Sequence, residues 1–186
     1  MMHKHLEEYM FKNYLPDVVF HLREPDLSAT MDVANPFKWV RKTTAELMGG
    51  KKVLIFGLPG AFTPTCSNEQ LPSYEEMYEE FMEQGIDEIY CTSVNDAFAM
   101  FQWAKQLGIM NVKMLPDGNG EFADGLGYLV KKNNLGFGKR SWRYALIVED
   151  LSIERWFEEE GISENCPSDP YMTSRPEVVL DALRSN

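Results

Sequence analysis

Cysteine is scarce in this sequence: Cys66, Cys91 and Cys166 are the three in 186 residues. An odd, widely spaced set argues against a disulfide framework and fits a reducing compartment, so a cytoplasmic location is expected. Histidine is equally scarce, and His3, His5 and His21 all precede the first cysteine. That leaves no Cys/His zinc spacing and no histidine near a cysteine for a thiol hydrolase, so neither metal nor cofactor is expected. No apolar window approaches the roughly 18 residues of a membrane helix. The start, "MMHKHLEEYMFKNYLPDVVF", shows no apolar signal core. Basic blocks are also missing, and a net charge of −11 argues against nucleic acid or an anionic membrane as partner. Without repeats or low-complexity linkers, a single domain is expected over residues 1–186, with 1–14 as a flexible N-terminal extension.

What is present is ordinary for a globular chain, 44% hydrophobic and 25% charged. Apolar periodicity predicts strands at "DVVFHLR", "KKVLIFGL", "IDEIYCTSV" and "NVKMLP". It also predicts a hairpin in "WRYALIVEDLSIERWFEEEG" that turns near Glu149 to Leu151 without an Asn-Gly or Asp-Gly signal. Helices are predicted at "TTAELMGG", at "SYEEMYEEFMEQG" closed by Gly85, and at "NDAFAMFQWAKQLG" capped by Asn95 or Asp96. "GEFADGLGYLV" and "RPEVVLDALRSN" follow as helices, whereas "EPDLSATMDVANPF" and "GFGKRS" read as loops. Strands alternate with helices, predicting an α/β fold with a central mixed sheet flanked by helices. The runs "EEMYEEF" and "FEEEG" read as solvated acidic faces, and Phe98, Phe101 and Trp103 as packing.

Chemistry concentrates in "VLIFGLPGAFTPTCSNEQLP", residues 53–72. Thr63 can cap a helix and Pro64 fits its first position, so Cys66 falls in the first turn among N–H groups with no intrahelical acceptor. Gly57 and Gly60 are expected to permit the tight strand-to-helix passage, stiffened by Pro59. A free thiol is only about 3% ionised at pH 7, and making it mostly thiolate takes about 3.4 kcal/mol. A helix terminus supplies roughly 0.3–1 kcal/mol, so a cation must help.

Pro59, Thr63 and Cys66 together form P-x-x-x-T-x-x-C within "PGAFTPTC", which resembles the peroxiredoxin family. The blocks "LPSYEEMYEEF", "CTSVNDAFAM", "LPDGNGEFADGLG" and "LGFGKRSWRYALIVED" extend the resemblance from about residue 15 to the C-terminus. The similarity is to the plant type II and mammalian type V class, especially the peroxiredoxin half of bacterial peroxiredoxin–glutaredoxin hybrids. It implies a thioredoxin-like fold and reduction of hydrogen peroxide and alkyl hydroperoxides. By the same resemblance Cys66 matches the peroxidatic cysteine, Thr63 the hydroxyl beside sulfur and peroxide, and Pro59 the residue shielding the pocket. Arg143 matches the arginine that holds thiolate and peroxide oxygens, with Arg140 a supporting substrate-side residue. Family relatives often carry histidine where this chain has Gln70. The resemblance also implies a homodimer joined through the loops near the cysteine and the "LGFG" segment, with Phe137 a candidate contact.

Attack on a peroxide moves negative charge from sulfur across two oxygens. Donors must therefore lie along that axis: the Thr63 hydroxyl, the Thr65 and Cys66 N–H groups and the Arg143 guanidinium. The product is a sulfenic acid, which condenses with a second thiol. Cys91 is one candidate resolver, but its strand setting also reads as a small buried side chain. Cys166, in "SENCPSDP", reads as an exposed loop residue. The hybrid relatives point instead to glutathione and glutaredoxin, with thioredoxin the other candidate reductant; the chain shows no C-x-x-C of its own. The rival reading is non-enzymatic, a redox sensor or peroxide-activated holdase using the same cysteine.

Overall fold

A computed structural model describes residues 13–28 and 36–185. Strand β1 (Val19–Pro25) pairs antiparallel with β2 (Phe37–Thr43). Helix α1 (Thr44–Met48) starts in a capping box, in which Thr43 Oγ1 accepts from Glu46 N and Glu46 Oε2 accepts from Thr43 N. Next come β3 (Lys52–Gly57), a π-helical turn (Cys66–Gln70), α2 (Leu71–Glu76), α3 (Tyr78–Glu83) and β4 (Glu88–Ser93). Helix α4 (Ala97–Leu107), β5 (Lys113–Pro116) and the short α5 (Glu121–Gly125) lead into β6 (Leu129–Lys131) and β7 (Lys139–Ser141). Strands β8 (Tyr144–Glu149) and β9 (Ser152–Glu158) and helix α6 (Pro176–Arg184) complete the order.

Five strands form the central sheet in the order β5-β4-β3-β8-β9. Strands β3, β4 and β5 run parallel, and β8 pairs antiparallel with both β3 and β9. This is the mixed α/β sheet expected from the pattern. Both faces are covered, so β3 reads as an apolar run rather than an alternation. Leu54, Phe56, Cys91, Ala145 and Ile147 pack on one face against Tyr74, Phe81, Trp103 and Leu180 from the helices. Val53, Ile55, Leu146 and Val148 pack on the other face with Phe20, Met48 and Trp142.

Several local expectations change. "FKWVRKT", between the expected loop ending at Phe37 and the expected helix starting at Thr43, is a strand. Its outward residues are charged and Trp39 is exposed, so the apolar alternation is weak. "GFGKRS" ends in β7, and "YLV" leaves the α5 helix for β6. The helix predicted over "SYEEMYEEFMEQG" begins earlier, at Leu71, and bends at Met77 (φ −92°, ψ 9°), with Gly85 left-handed at its end. The β8–β9 turn places Asp150 and Leu151 at positive φ (44° and 70°), the pair a type I′ turn demands. Distant partners hold it: Asp150 Oδ1 accepts from Gly50 N at 2.6 Å, and Leu151 O accepts from Leu15 N at 2.9 Å. Residues 1–12 of the expected N-terminal extension lie outside the described residues. Asn13 and Tyr14, however, are bridged to the start of β9, with Ile153 N donating to Asn13 O at 2.7 Å.

Candidate active site

Strand β3 ends in a loop whose geometry differs from the glycine reading. Neither Gly57 nor Gly60 is left-handed; the positive φ falls on Phe62 (65°). Gly57 is needed for another reason, because a Cβ there would sit 2.2 Å from the Tyr144 ring. At Gly60 a Cβ would meet Arg140 Nη1 at 3.1 Å. The loop is tied to the end of β4, where Asn95 Oδ1 accepts from Ala61 N at 2.9 Å. Arg140 Nη1 donates to Val94 O (3.2 Å) and its Nε to Phe137 O (3.1 Å). Arg140 thus ties the end of β4 to the segment before β7 and packs beside Gly60. Pro59 is buried within the same loop.

The helix begins at Pro64, and Ser67 N donates to Thr63 O at 3.0 Å. The Thr65 and Cys66 N–H groups precede that bond and so lie in the unsatisfied first turn. Thr63 does not cap with its side chain as expected; its hydroxyl donates to Gly60 O at 2.8 Å. The hydroxyl proton being committed, its lone pairs are what it presents to an incoming O–H.

Cys66 opens the π-helical turn, in which Leu71 N donates to Cys66 O. Residues four apart share a helix face, and Cys66 and Gln70 both reach one group. Arg143 Nη1 lies 3.5 Å from Cys66 Sγ and also donates to Gln70 Oε1. Arg143 comes from just before β8 and is buried, as are Cys66 and Gln70. A unit charge at about 4 Å is worth about 4 kcal/mol at an effective dielectric near 20, several times a helix terminus. Burial works against the guanidinium's charge, but the Cys66 sulfur and the Asp169 carboxylate outweigh it and hold the Arg143 proton above its ordinary range. Asp169 Oδ1 takes Nη2 at 2.6 Å. The neighbouring Ser67 is fixed by Trp103 Nε1, which donates to its Oγ at 3.0 Å.

The other two cysteines are unlike Cys66. Cys91 lies in mid-sheet between Phe56 on β3 and Met114 on β5. Burial, with a further contribution from Cys66, pushes its thiol well above the usual range. Cys166, expected to be exposed, is buried at 7% accessibility. Its connection folds back on the chain, with Asn165 N donating to Lys131 O at 2.7 Å. The Ser168 hydroxyl and N–H lower its thiol, against the opposing effect of burial and with help from Ser163 and Lys132. All three cysteines are free thiols.

Two acidic residues read as solvated are built into the frame. Glu75 Oε1 accepts from Met110 N and Asn111 N at 2.9 Å each. Glu159, 1% exposed, accepts through Oε1 from Met172 N, Ser174 N and Ser174 Oγ at 2.8–2.9 Å. Asp169, Glu159 and Tyr171, whose ring lies 5.5 Å from the Arg143 guanidinium carbon, all escaped the sequence reading. Nothing in a coil between a strand and a helix marks them. Asn95 was legible only as a helix cap, although the carboxyl end of a parallel strand is where α/β sites collect. Among the described residues no group of three His, Cys, Asp or Glu side chains could hold a metal ion, and no helix is long and apolar enough to cross a membrane.

The Redoxin family model matches residues 29–169. The chain belongs to the peroxiredoxin family. It is 52% identical over 174 residues to peroxiredoxin y4vD of Sinorhizobium fredii, covering 94% of this chain and 92% of that one. It is 44% identical over 169 residues to the hybrid peroxiredoxin hyPrx5 of Haemophilus influenzae, covering 91% of this chain and 64% of that longer protein. Among solved structures, the Plasmodium falciparum antioxidant protein, a 1-Cys peroxiredoxin, matches with a TM-score of 0.87 at 35% identity, over 94% of this chain and 99% of that one. The fold of this peroxiredoxin is therefore thioredoxin-like, and its activity that of a thiol peroxidase.

Proposed function

We propose that Cys66 is the peroxidatic residue and that an outside thiol regenerates it. The Cys66 thiolate attacks the terminal oxygen of a hydroperoxide, the O–O bond breaks, and the leaving oxygen takes a proton to depart as water or alcohol. Sulfur is left as the sulfenic acid. The observation that carries this reading is the Arg143 Nη1 contact with Cys66 Sγ at 3.5 Å in a buried setting. A guanidinium fork can touch sulfur and the neighbouring oxygen together, where lysine offers a single point charge. Arg143 Nε and Gln70 Nε2 are buried without a hydrogen-bond partner among the described residues, which leaves further donors near the breaking bond. Thr63 receives the O–H of the incoming peroxide, the Thr65 and Cys66 N–H groups polarise it, and Pro59 keeps water out.

Reduction then falls to glutathione followed by glutaredoxin. Cys91 is a poor partner, because it lies in mid-strand between β3 and β5 and burial holds its thiol protonated. Similarity to a 1-Cys peroxiredoxin and to a hybrid peroxiredoxin supports an outside thiol. The active form is a homodimer in the cytoplasm, joined near the exposed Phe62 and Leu135 and Phe137, and the whole chain acts as one domain.

Peroxide consumption with glutathione and glutaredoxin, run against thioredoxin, tests the reading. Many turnovers per site with the first pair are expected, and none for Cys66→Ser. Intact mass after one equivalent of peroxide is expected to show one added oxygen, replaced by one glutathione when that thiol is present. A quantitative internal disulfide through Cys91 would overturn the outside-thiol step, and a single peroxide per site under every reductant would favour a sensor or holdase.

A further inference from the structure

Resting on the peroxidase reading, we infer that Asp169 is a positioning residue, which fixes the rotation of the Arg143 guanidinium so that Nη1 faces Cys66. The guanidinium is buried, but its Nη2 is taken by a carboxylate that is itself 45% exposed, at 2.6 Å. A half-buried pair gains Coulomb energy but also costs desolvation of the guanidinium, so net stability is a poor reason for it. Here the pair does something else. A planar fork with one Nη held has its other Nη direction fixed, and that second Nη meets the Cys66 sulfur at 3.5 Å.

The connection that carries Asp169 is anchored independently of the sulfur. Glu159 Oε1 holds Met172 N and Ser174 N, Tyr74 Oη donates to Ser174 O at 2.7 Å, and Arg175 Nε donates to Tyr171 O at 2.9 Å. A connection anchored at residues 171–175 therefore delivers one carboxylate to the far side of the arginine. The hold has an electrostatic cost, because a negative charge on Nη2 competes with the thiolate for the same cation. The titratable and charged groups facing Arg143 are Cys66, Asp169 and Tyr171, with Glu69, Arg175 and Glu177 further out around Tyr171.

Position and charge separate in two variants. Asp169→Asn keeps an oxygen acceptor at the same place and removes the charge, whereas Asp169→Ala removes both. For hydroperoxide reduction, kcat/KM is expected to fall about 10-fold in Asp169→Ala and to stay within about threefold of wild type in Asp169→Asn. Iodoacetamide should alkylate Cys66 about threefold faster at pH 6 in Asp169→Asn than in wild type, because the competing carboxylate is gone. Equal loss of peroxidase rate in both variants, no loss in either, or an unchanged alkylation rate in Asp169→Asn overturns the inference. Wild-type protein that consumes no hydroperoxide would instead sink the peroxidase reading, and the alkylation comparison would still decide whether Asp169 acts on Cys66 through Arg143.

Discussion

Cys66 and Cys91 are both fully buried and belong to one apolar cluster, yet their surroundings differ in kind. Cys66 sits where a helix begins, with free N–H groups behind it and a guanidinium in front. Cys91 sits in the middle of a parallel strand, where every neighbouring backbone group is spent on the sheet. The lesson is that burial alone suppresses a thiolate, whereas burial with donors aimed at the sulfur concentrates their field on it.

The comparison breaks outright if Cys66→Ser and Cys91→Ser behave alike. Cys66→Ser is expected to lower peroxide turnover by at least ~1,000-fold, and Cys91→Ser to leave it within about threefold, in a steady-state peroxide assay. A smaller but still large effect separates charge from geometry. Arg143→Lys keeps a cation and loses the fork, so its rate should fall about 100-fold with circular dichroism unchanged; near-normal turnover would refute the role given to Arg143.

The smallest effect is on stability and concerns Cys91. Its folded thiol is held above the usual range by burial, so the native state keeps a proton that the unfolded chain releases near pH 8.5. Stability from this source is complete below about pH 8.5 and declines as pH rises, by up to ~1.36 kcal/mol per pH unit. Tyr74 and Tyr144 are raised by burial too, but they add to the slope only above about pH 10. Between pH 8.5 and 10 the melting temperature of Cys91→Ala should therefore fall less steeply than that of wild type. Parallel slopes would mean that the Cys91 thiol is not protected.

Much of the site was legible because it is local. Pro59, Thr63 and Cys66 lie within eight positions, and capping chemistry already placed the cysteine in a first turn. Arg143 needed the family resemblance, since no periodicity marks a residue just ahead of a strand. Gln70 was legible only as a missing histidine, although its place four residues after Cys66 puts both on one helix face toward Arg143. Strand β2 was lost because "FKWVRKT" alternates weakly on an outer hairpin whose far side faces solvent. The acidic runs misled for a related reason: composition says that Glu159 prefers water, and only its three donors explain why it is inside.

By itself the sequence determined the alternation of the central strands with helices, the apolar run of β3, the short helix after β2 and the placement of Cys66 in a first turn. These follow from backbone stereochemistry and the periods of apolar side chains, which act over a few residues. Tertiary structure alone decided what surrounds the sulfur. Arg143, 77 positions from Cys66, meets it because the sheet puts β8 beside β3, and Asp169, 103 positions away, reaches Arg143 because the connection after β9 folds back to it. The electrostatic field at one atom sums over such distant groups and falls off with distance in space, not along the chain.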